Sequence, residues 1–416
     1  MEVFPVAITL FRPFTGLRPA PELASEVAAP PYDVLNTEEA RELAKGKPHS
    51  FLHISKPEID LPEGTDPYAP EVYAKGAENL QKMIAAGIIK RDPKPCYYAY
   101  RLKMGDHVQT GIVAAASVAA YDVNRIRKHE FTRPDKEDDR VRQIDAVNAQ
   151  TGPVLLAHRP IKDVSDIVAR VTAQPAAYDF VAHDGIGHAL WVIDQDGDIA
   201  TITQAFEAQP AVYIADGHHR SAAASRVAKA RAGKGGEEAA HNSFLVVSYP
   251  IDEMRIFDYN RVVKDLNGMS EALLLEKLAK TFTVEESKNQ AKPKARRQIG
   301  LYLKGRWFLL TLKAEPQGLD PVQSLDVSLL TDLVLAPLFG IEDLRKDKRI
   351  DFVGGKRGLG ELEKRVDSGE MAAAFALYPT SMEDLVSVAD ANRVMPPKST
   401  WFEPKLADGM VSNPLD

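Results

Sequence analysis

The chain has 416 residues, 44% hydrophobic and 27% charged, which suits two or three folded domains and excludes a disordered chain. A formal net charge of −7 and an isoelectric point near 5.9 speak against a nucleic-acid backbone as the main partner, since that binding rests on many phosphates neutralised by Lys and Arg. The single cysteine, Cys96, excludes an internal disulfide and any multi-cysteine metal site, and fits a reducing cytoplasm.

The N-terminal MEVFPVAITLFRPF lacks a basic region followed by an apolar core, so no signal peptide is expected and the location is read as cytoplasmic. From Phe4 to about Pro93 the pattern gives short extended pieces, the proline-bracketed APPYDVL, a helical TEEARELAKG and an extended FLHIS. A longer helix is expected from Pro70 to Lys90, with Val72, Tyr73, Leu80, Met83, Ile84 and Ile88 on one face. CYYAYRLKM and HVQTGIVAAASVAAY read as strands joined at Gly105-Asp106, a hairpin signal. GIVAAASVAAY, Gly111 to Tyr121, is half of the roughly 20 residues that a bilayer span needs and is expected in the core, with no membrane association.

The charged run Arg125 to Arg142 interrupts the β pattern. PVLLAHR, HALWVIDQDGDIATI and AVYIADG read as further strands, with a hairpin turn at Gln195-Asp196-Gly197-Asp198. An alanine-rich helix follows, then the exposed loop AGKGGEE and the strand NSFLVVSYPI. Helix and strand patterns then alternate to the end, with another hairpin at Lys304-Gly305. No fixed-period repeat is visible, and the order of elements is not regular βαβ, so the fold class expected is α+β, with domains 1–267 and 268–416.

Four clusters can carry chemistry. Asp216-Gly217-His218-His219-Arg220 stands between an apolar strand and a helix, where backbone N–H groups and the helix dipole favour an anion, phosphate first. Arg220 can grip phosphate bidentately, and Asp216 can hold a metal or orient a neighbour. In RIRKHEFTRPDKEDDRVR, seven Lys/Arg and five acids make most of the run a solvated face. His129-Glu130 stands out as an acid–base pair, Glu130 with Asp216 can bind Mg²⁺, and Arg140 joins the phosphate-binding set. In MPPKSTWFEPK, Lys398, Ser399 and Thr400 supply an ammonium and two hydroxyls, with no Walker-type glycines, or form a tail docking on a core. In PPYDVL and FLHISKPE, Asp33 and Ser55 can read a small substrate or serve ordinary turns.

Taken together, APPYDV, KHEFT with its following DDR, YIADGHHR and MPPKSTWFEPK resemble, in that order and over nearly the whole chain, the domain-of-unknown-function 1015 family, whose members are often labelled relatives of ParB proteins. YIADGHHR also resembles the phosphate-binding turn of the ParB/sulfiredoxin superfamily, which includes sulfinic-acid reductases, CTP-binding ParB proteins and kinases of free serine. The resemblance implies a mixed-sheet core of that type with a second α/β domain whose tail docks on the site. It gives Gly217, His218, His219 and Arg220 a phosphate-binding role and Asp216 an orienting or metal role. It departs in two places: no helix-turn-helix pattern follows the turn, and Cys96 is far from it in sequence.

The function expected is therefore phosphoryl transfer from ATP, ADP or pyrophosphate, with Mg²⁺, to a hydroxyl of a small molecule, free L-serine first, with Glu130 taking the proton. The rivals are a phosphohydrolase at the same site, acting for example on phosphoserine, and a ParB-like nucleotide-binding regulator without turnover. A homodimer is compatible with all three.

Overall fold

Long apolar runs rich in β-branched and aromatic residues between Phe11 and Pro250 pair into one sheet in the computed structural model, which describes residues 9–236 and 238–416. Residues 1–8, where the leader reading and the first extended piece begin, and Glu237 of AGKGGEE lie outside the described residues. Along the sheet the strands run Ile126–Arg127, Val212–Asp216, Val154–His158, Ser243–Pro250, His107–Ser117, Tyr97–Met104, Gly187–Ile193 and Tyr178–Val181, with Phe11–Arg12 added to His107–Ser117. Val212–Asp216 pairs parallel with Ile126–Arg127, and Ser243–Pro250 pairs parallel with Val154–His158. The other pairs are antiparallel. The sheet is therefore mixed, and the fold is α+β.

The expected Gly105-Asp106 hairpin forms, with Met104 opposite His107 and Gly105 at φ 58°. One apolar layer gathers Ala114, Ala116, Leu156, Trp191, Ile214 and Val246 of the sheet with Ile202, Phe206, Ala224 and Ala228 of its helices. A second gathers Phe51, Leu52 and Ile54 with Leu80 and Met83 of the helix Pro70–Ala85. TEEARELA is a helix, Thr37–Ala44, entered through a capping box between Asn36 and Glu39.

Four local readings are corrected. QDGD is the start of the helix Asp196–Glu207 and not a hairpin, because Asp196 and Asp198 suit its N-terminus while Ile199, Ile202 and Phe206 bury one face. FLHIS is not extended: Leu52–Ser55 is a helical turn that inserts Leu52 and Ile54 into the core. The strand through GIVAAAS ends at Ser117, whose hydroxyl caps the short helix Val118–Asp122. The helix begun at Pro70 stops at Ala85, and Gly87 in a left-handed conformation turns the chain into the strand Ile89–Arg91.

The chain forms two compact units, residues 1–254 with 404–416, and residues 255–403. Asn267-Gly268, where the sequence reading divides the chain, follows the strand Tyr259–Val263 inside the second unit. That unit holds an antiparallel sheet in the order Phe282–Ser287, Arg306–Leu312, Gln298–Leu303, Ala373–Leu377, Tyr259–Val263, Ile350–Gly354. In the first unit, the C-terminal strand Asn413–Pro414 pairs with Ala149–Gln150. Among the described residues no helix is long and apolar enough to cross a membrane.

Candidate phosphate and acceptor site

The strand Val212–Asp216 loses register with Val154–His158 between Ile214 and Asp216, and the chain turns at once into the helix His218–Ala230. Gly217 makes that turn at φ 103°, where a Cβ would sit 3.3 Å from both Arg220 Nε and Val154 Cα. Only glycine meets both demands without strain. No side chain caps the helix, so its first N–H groups and the positive end of its dipole are available to an anion.

Around this turn Asp216 pairs with Lys405 Nζ at 3.1 Å and stands 3.9 Å from Arg220. Burial raises the Asp216 carboxyl, but Lys405 and then Arg220 outweigh it and hold the group below the usual carboxylate range. Arg220 also reaches Asp33 at 3.8 Å and donates to the Pro153 carbonyl. His219 Nε2 accepts from the Arg133 backbone N–H at 3.0 Å, just before the helix Pro134–Val147. The loop that carries His129 and Glu130 is thereby tied to the glycine turn.

His218 lies against His129, ring centroids 4.5 Å apart and nearly perpendicular, with its Nδ1 3.6 Å from Glu130 Oε2. Both histidines are buried, while the Glu130 side chain is 54% exposed. Burial pushes the His129 imidazole down to about 4, and burial, followed by the repulsion that two protonated rings this close would feel, holds His218 well below its ordinary value. Both rings are therefore neutral at pH 7. One ring N–H of His129 faces the Ile214 carbonyl, but among the described residues neither ring nitrogen makes a well-formed hydrogen bond.

Beside the turn opens a small pocket of about 30 Å³, partly continuous with solvent, lined by Tyr32, Ser55, Arg140, Gln143, Arg220 and Asp408 among others. Arg140 lies 3.7 Å over the Tyr32 ring and grips Asp139, Nε at 3.0 Å and a terminal nitrogen at 2.7 Å. Two buried atoms in this pocket, Ser55 Oγ and Asp408 Oδ1, have no hydrogen-bond partner among the described residues. Burial pushes the Asp408 carboxyl up to about 7, against the pull of Arg220.

The pocket thus brings together Ser55, Arg140 and Arg220, and Arg220 links it to Asp33, Asp216 and Gly217. Lys398, Ser399 and Thr400 lie in the second unit, where Lys398 Nζ stands 5.6 Å over the Tyr259 ring and the Ser399 hydroxyl donates to the Pro396 carbonyl at 2.7 Å. Sequence reasoning missed Lys405 and Asp408. Lys405 closes the very motif MPPKSTWFEPK in which Lys398 draws attention, and Asp408-Gly409 reads as an ordinary turn. Cys96 is buried, its thiol pushed up to about 11 by burial, which leaves it unreactive.

A family model described as "Protein of unknown function (DUF1015)" matches residues 11–328. The chain belongs to that family. No curated protein matches this DUF1015 member. Among solved structures it is similar to a free serine kinase in complex with AMP, at 14% identity and a TM-score of 0.34, over 70% of this chain and 86% of the other. It is similar to a conserved hypothetical protein from Pyrococcus furiosus at 13% identity and a TM-score of 0.34, over 72% and 93% of the two chains. It is also similar to SbnI with C-terminal truncation from Staphylococcus aureus, at 12% identity and a TM-score of 0.37, over 71% and 85%.

Proposed function

We propose that this DUF1015 protein transfers a phosphoryl group from ATP, ADP or pyrophosphate to the hydroxyl of a small zwitterionic molecule, free L-serine being the first choice. The observation that carries this reading is the uncapped helix N-terminus at His218 adjoining a pocket with two partly buried arginines and two unpartnered buried oxygens.

The backbone N–H groups after Gly217, that of His218 among them, and the Arg220 guanidinium cradle the donor phosphates. The pocket takes the acceptor, its carboxylate toward Arg140 and Arg220 and its ammonium toward Asp408, while Ser55 orients the reacting hydroxyl. The acceptor oxygen forms the new P–O bond as the bridging P–O bond to the leaving phosphate breaks, and its proton passes to Glu130. His129, packed on His218, is a positioning residue. Such chemistry depends on placement and charge neutralisation, which fixed cations and backbone dipoles supply.

Asp216 is engaged by Lys405 and Arg220, so it orients the cradle, and Mg²⁺ enters on the donor phosphates, where it neutralises charge. Purified protein with Mg²⁺, each donor and a panel of hydroxylated metabolites, followed by phosphorus NMR, tests the reading. A phosphate ester of one acceptor is expected. Inorganic phosphate alone points to hydrolysis, and intact donor in every mixture overturns the proposal.

A further inference from the structure

We infer that His129, Glu130 and His218 form a binding site for one divalent transition ion of the Zn²⁺ class. The inference stands on geometry and is independent of phosphoryl transfer. One ligand atom from each of the three residues lies within 4.8 Å of the others. An ion held tetrahedrally at about 2.1 Å spaces its ligands by roughly 3.4 Å, and His218 Nδ1 already stands 3.6 Å from Glu130 Oε2.

His129 supplies the second, independent observation. It is 2% exposed, yet neither of its ring nitrogens makes a well-formed hydrogen bond. One ring N–H of His129 faces the Ile214 carbonyl outside good hydrogen-bond geometry, and the lone pair of the other nitrogen is buried unsatisfied, a cost that an ion accepting that lone pair removes. Glu130, at 54% exposure, closes the cluster from the solvent side. A carboxylate bound through one oxygen keeps the other for a proton, so ligation is compatible with the role given it above.

The donor set selects the ion. Two imidazoles and one carboxylate suit Zn²⁺ and its first-row neighbours, whereas Mg²⁺ prefers oxygen ligands and retains its waters. Ligation through His218 Nδ1 leaves the ring proton on Nε2. The contact from the His129 backbone N–H to that nitrogen is then given up, and at 3.4 Å it is a weak one.

The test uses the full chain after dialysis against chelator, with Zn²⁺ and Co²⁺ as probes. One equivalent of Zn²⁺ per chain, retained in excess Mg²⁺, is expected, with a ligand-field absorption band when Co²⁺ replaces it. Glu130→Gln, at an exposed position that leaves folding intact, should weaken Zn²⁺ binding by about tenfold or more, and His129→Gln should abolish the Co²⁺ band. If His129→Gln fails to fold, the Glu130→Gln arm decides. Zn²⁺ binding of equal strength and stoichiometry in wild type and Glu130→Gln, or no retained Zn²⁺ in wild type, overturns the inference.

Discussion

The ammonium of Lys405 lies 3.1 Å from the carboxylate of Asp216, a contact that spans 189 positions of the chain. The C-terminal return of the first unit thereby fixes the acid that opens the glycine turn. Replacing Lys405 by Met, which keeps most of the apolar stem, should lower stability by about 1 kcal/mol. A double-mutant cycle with Asp216→Asn should assign most of that loss to the pair, and additive losses would show that the two act separately.

Arg220→Lys keeps the charge but loses the planar fork that spans the Pro153 carbonyl, Asp33 and Asp216. Donor binding should weaken by about 1.5–3 kcal/mol, roughly ten- to a hundred-fold. Saturating donor raises the melting temperature of the wild type by mass action and should do so less in the variant. Equal ligand-induced shifts would remove Arg220 from the donor site.

His219 differs from its neighbour because its ring nitrogen accepts the Arg133 N–H. His219→Ala should therefore lower the melting temperature by a few degrees, the scale of about 1 kcal/mol in a chain of this class. Donor affinity should change little, since His219 offers phosphate its backbone N–H. A variant with normal stability and lost donor binding would place the ring itself on the ligand.

Ser55→Ala removes a buried hydroxyl with no partner, so stability should hold or rise slightly. The same change should raise KM for the acceptor with little effect on donor affinity. Unchanged acceptor kinetics would show that the hydroxyl faces no substrate.

Acidification pulls stability in two directions. Burial lowers His129 to about 4, His158 to about 3 and His188 to about 4. Between the ordinary histidine value of about 6.5 and these folded values, the unfolded chain binds more protons, so stability falls as pH drops. Asp408, raised to about 7 by burial, does the opposite: between pH 7 and the ordinary aspartate range the folded chain binds the extra proton, and stability rises as pH drops. With three histidines against one aspartate, melts from pH 8 to 4 should show net acid destabilisation. Asp408→Asn should steepen that fall, and an unchanged slope would mean that Asp408 is ionised at pH 7.

How much of this was legible in the sequence differs from residue to residue. The strand, the glycine turn and the alanine-rich helix around Asp216 to Arg220 follow from local composition, because apolar β-branched residues, a glycine and good helix formers each favour one backbone state. His129-Glu130 was visible as a pair for the same local reason, two functional side chains adjacent in the chain. The helix at Asp196 was misread, since Gln-Asp-Gly-Asp serves a hairpin turn and a helix start equally well until Ile202 and Phe206 find a core to bury in.

The glycine turn between strand and helix is fixed locally, because a glycine at φ 103° followed by an uncapped helix is a property of a few consecutive residues. What surrounds that turn depends on long-range packing. Lys405 and Asp408 reach the turn only because the C-terminal residues of the chain rejoin the first unit, where Asp408 exchanges backbone hydrogen bonds with Ala29 and Asn413–Pro414 pairs with Ala149–Gln150. The roles of His129 and Asp408 depend on burial, and burial is set by what packs around a side chain, not by its neighbours along the chain.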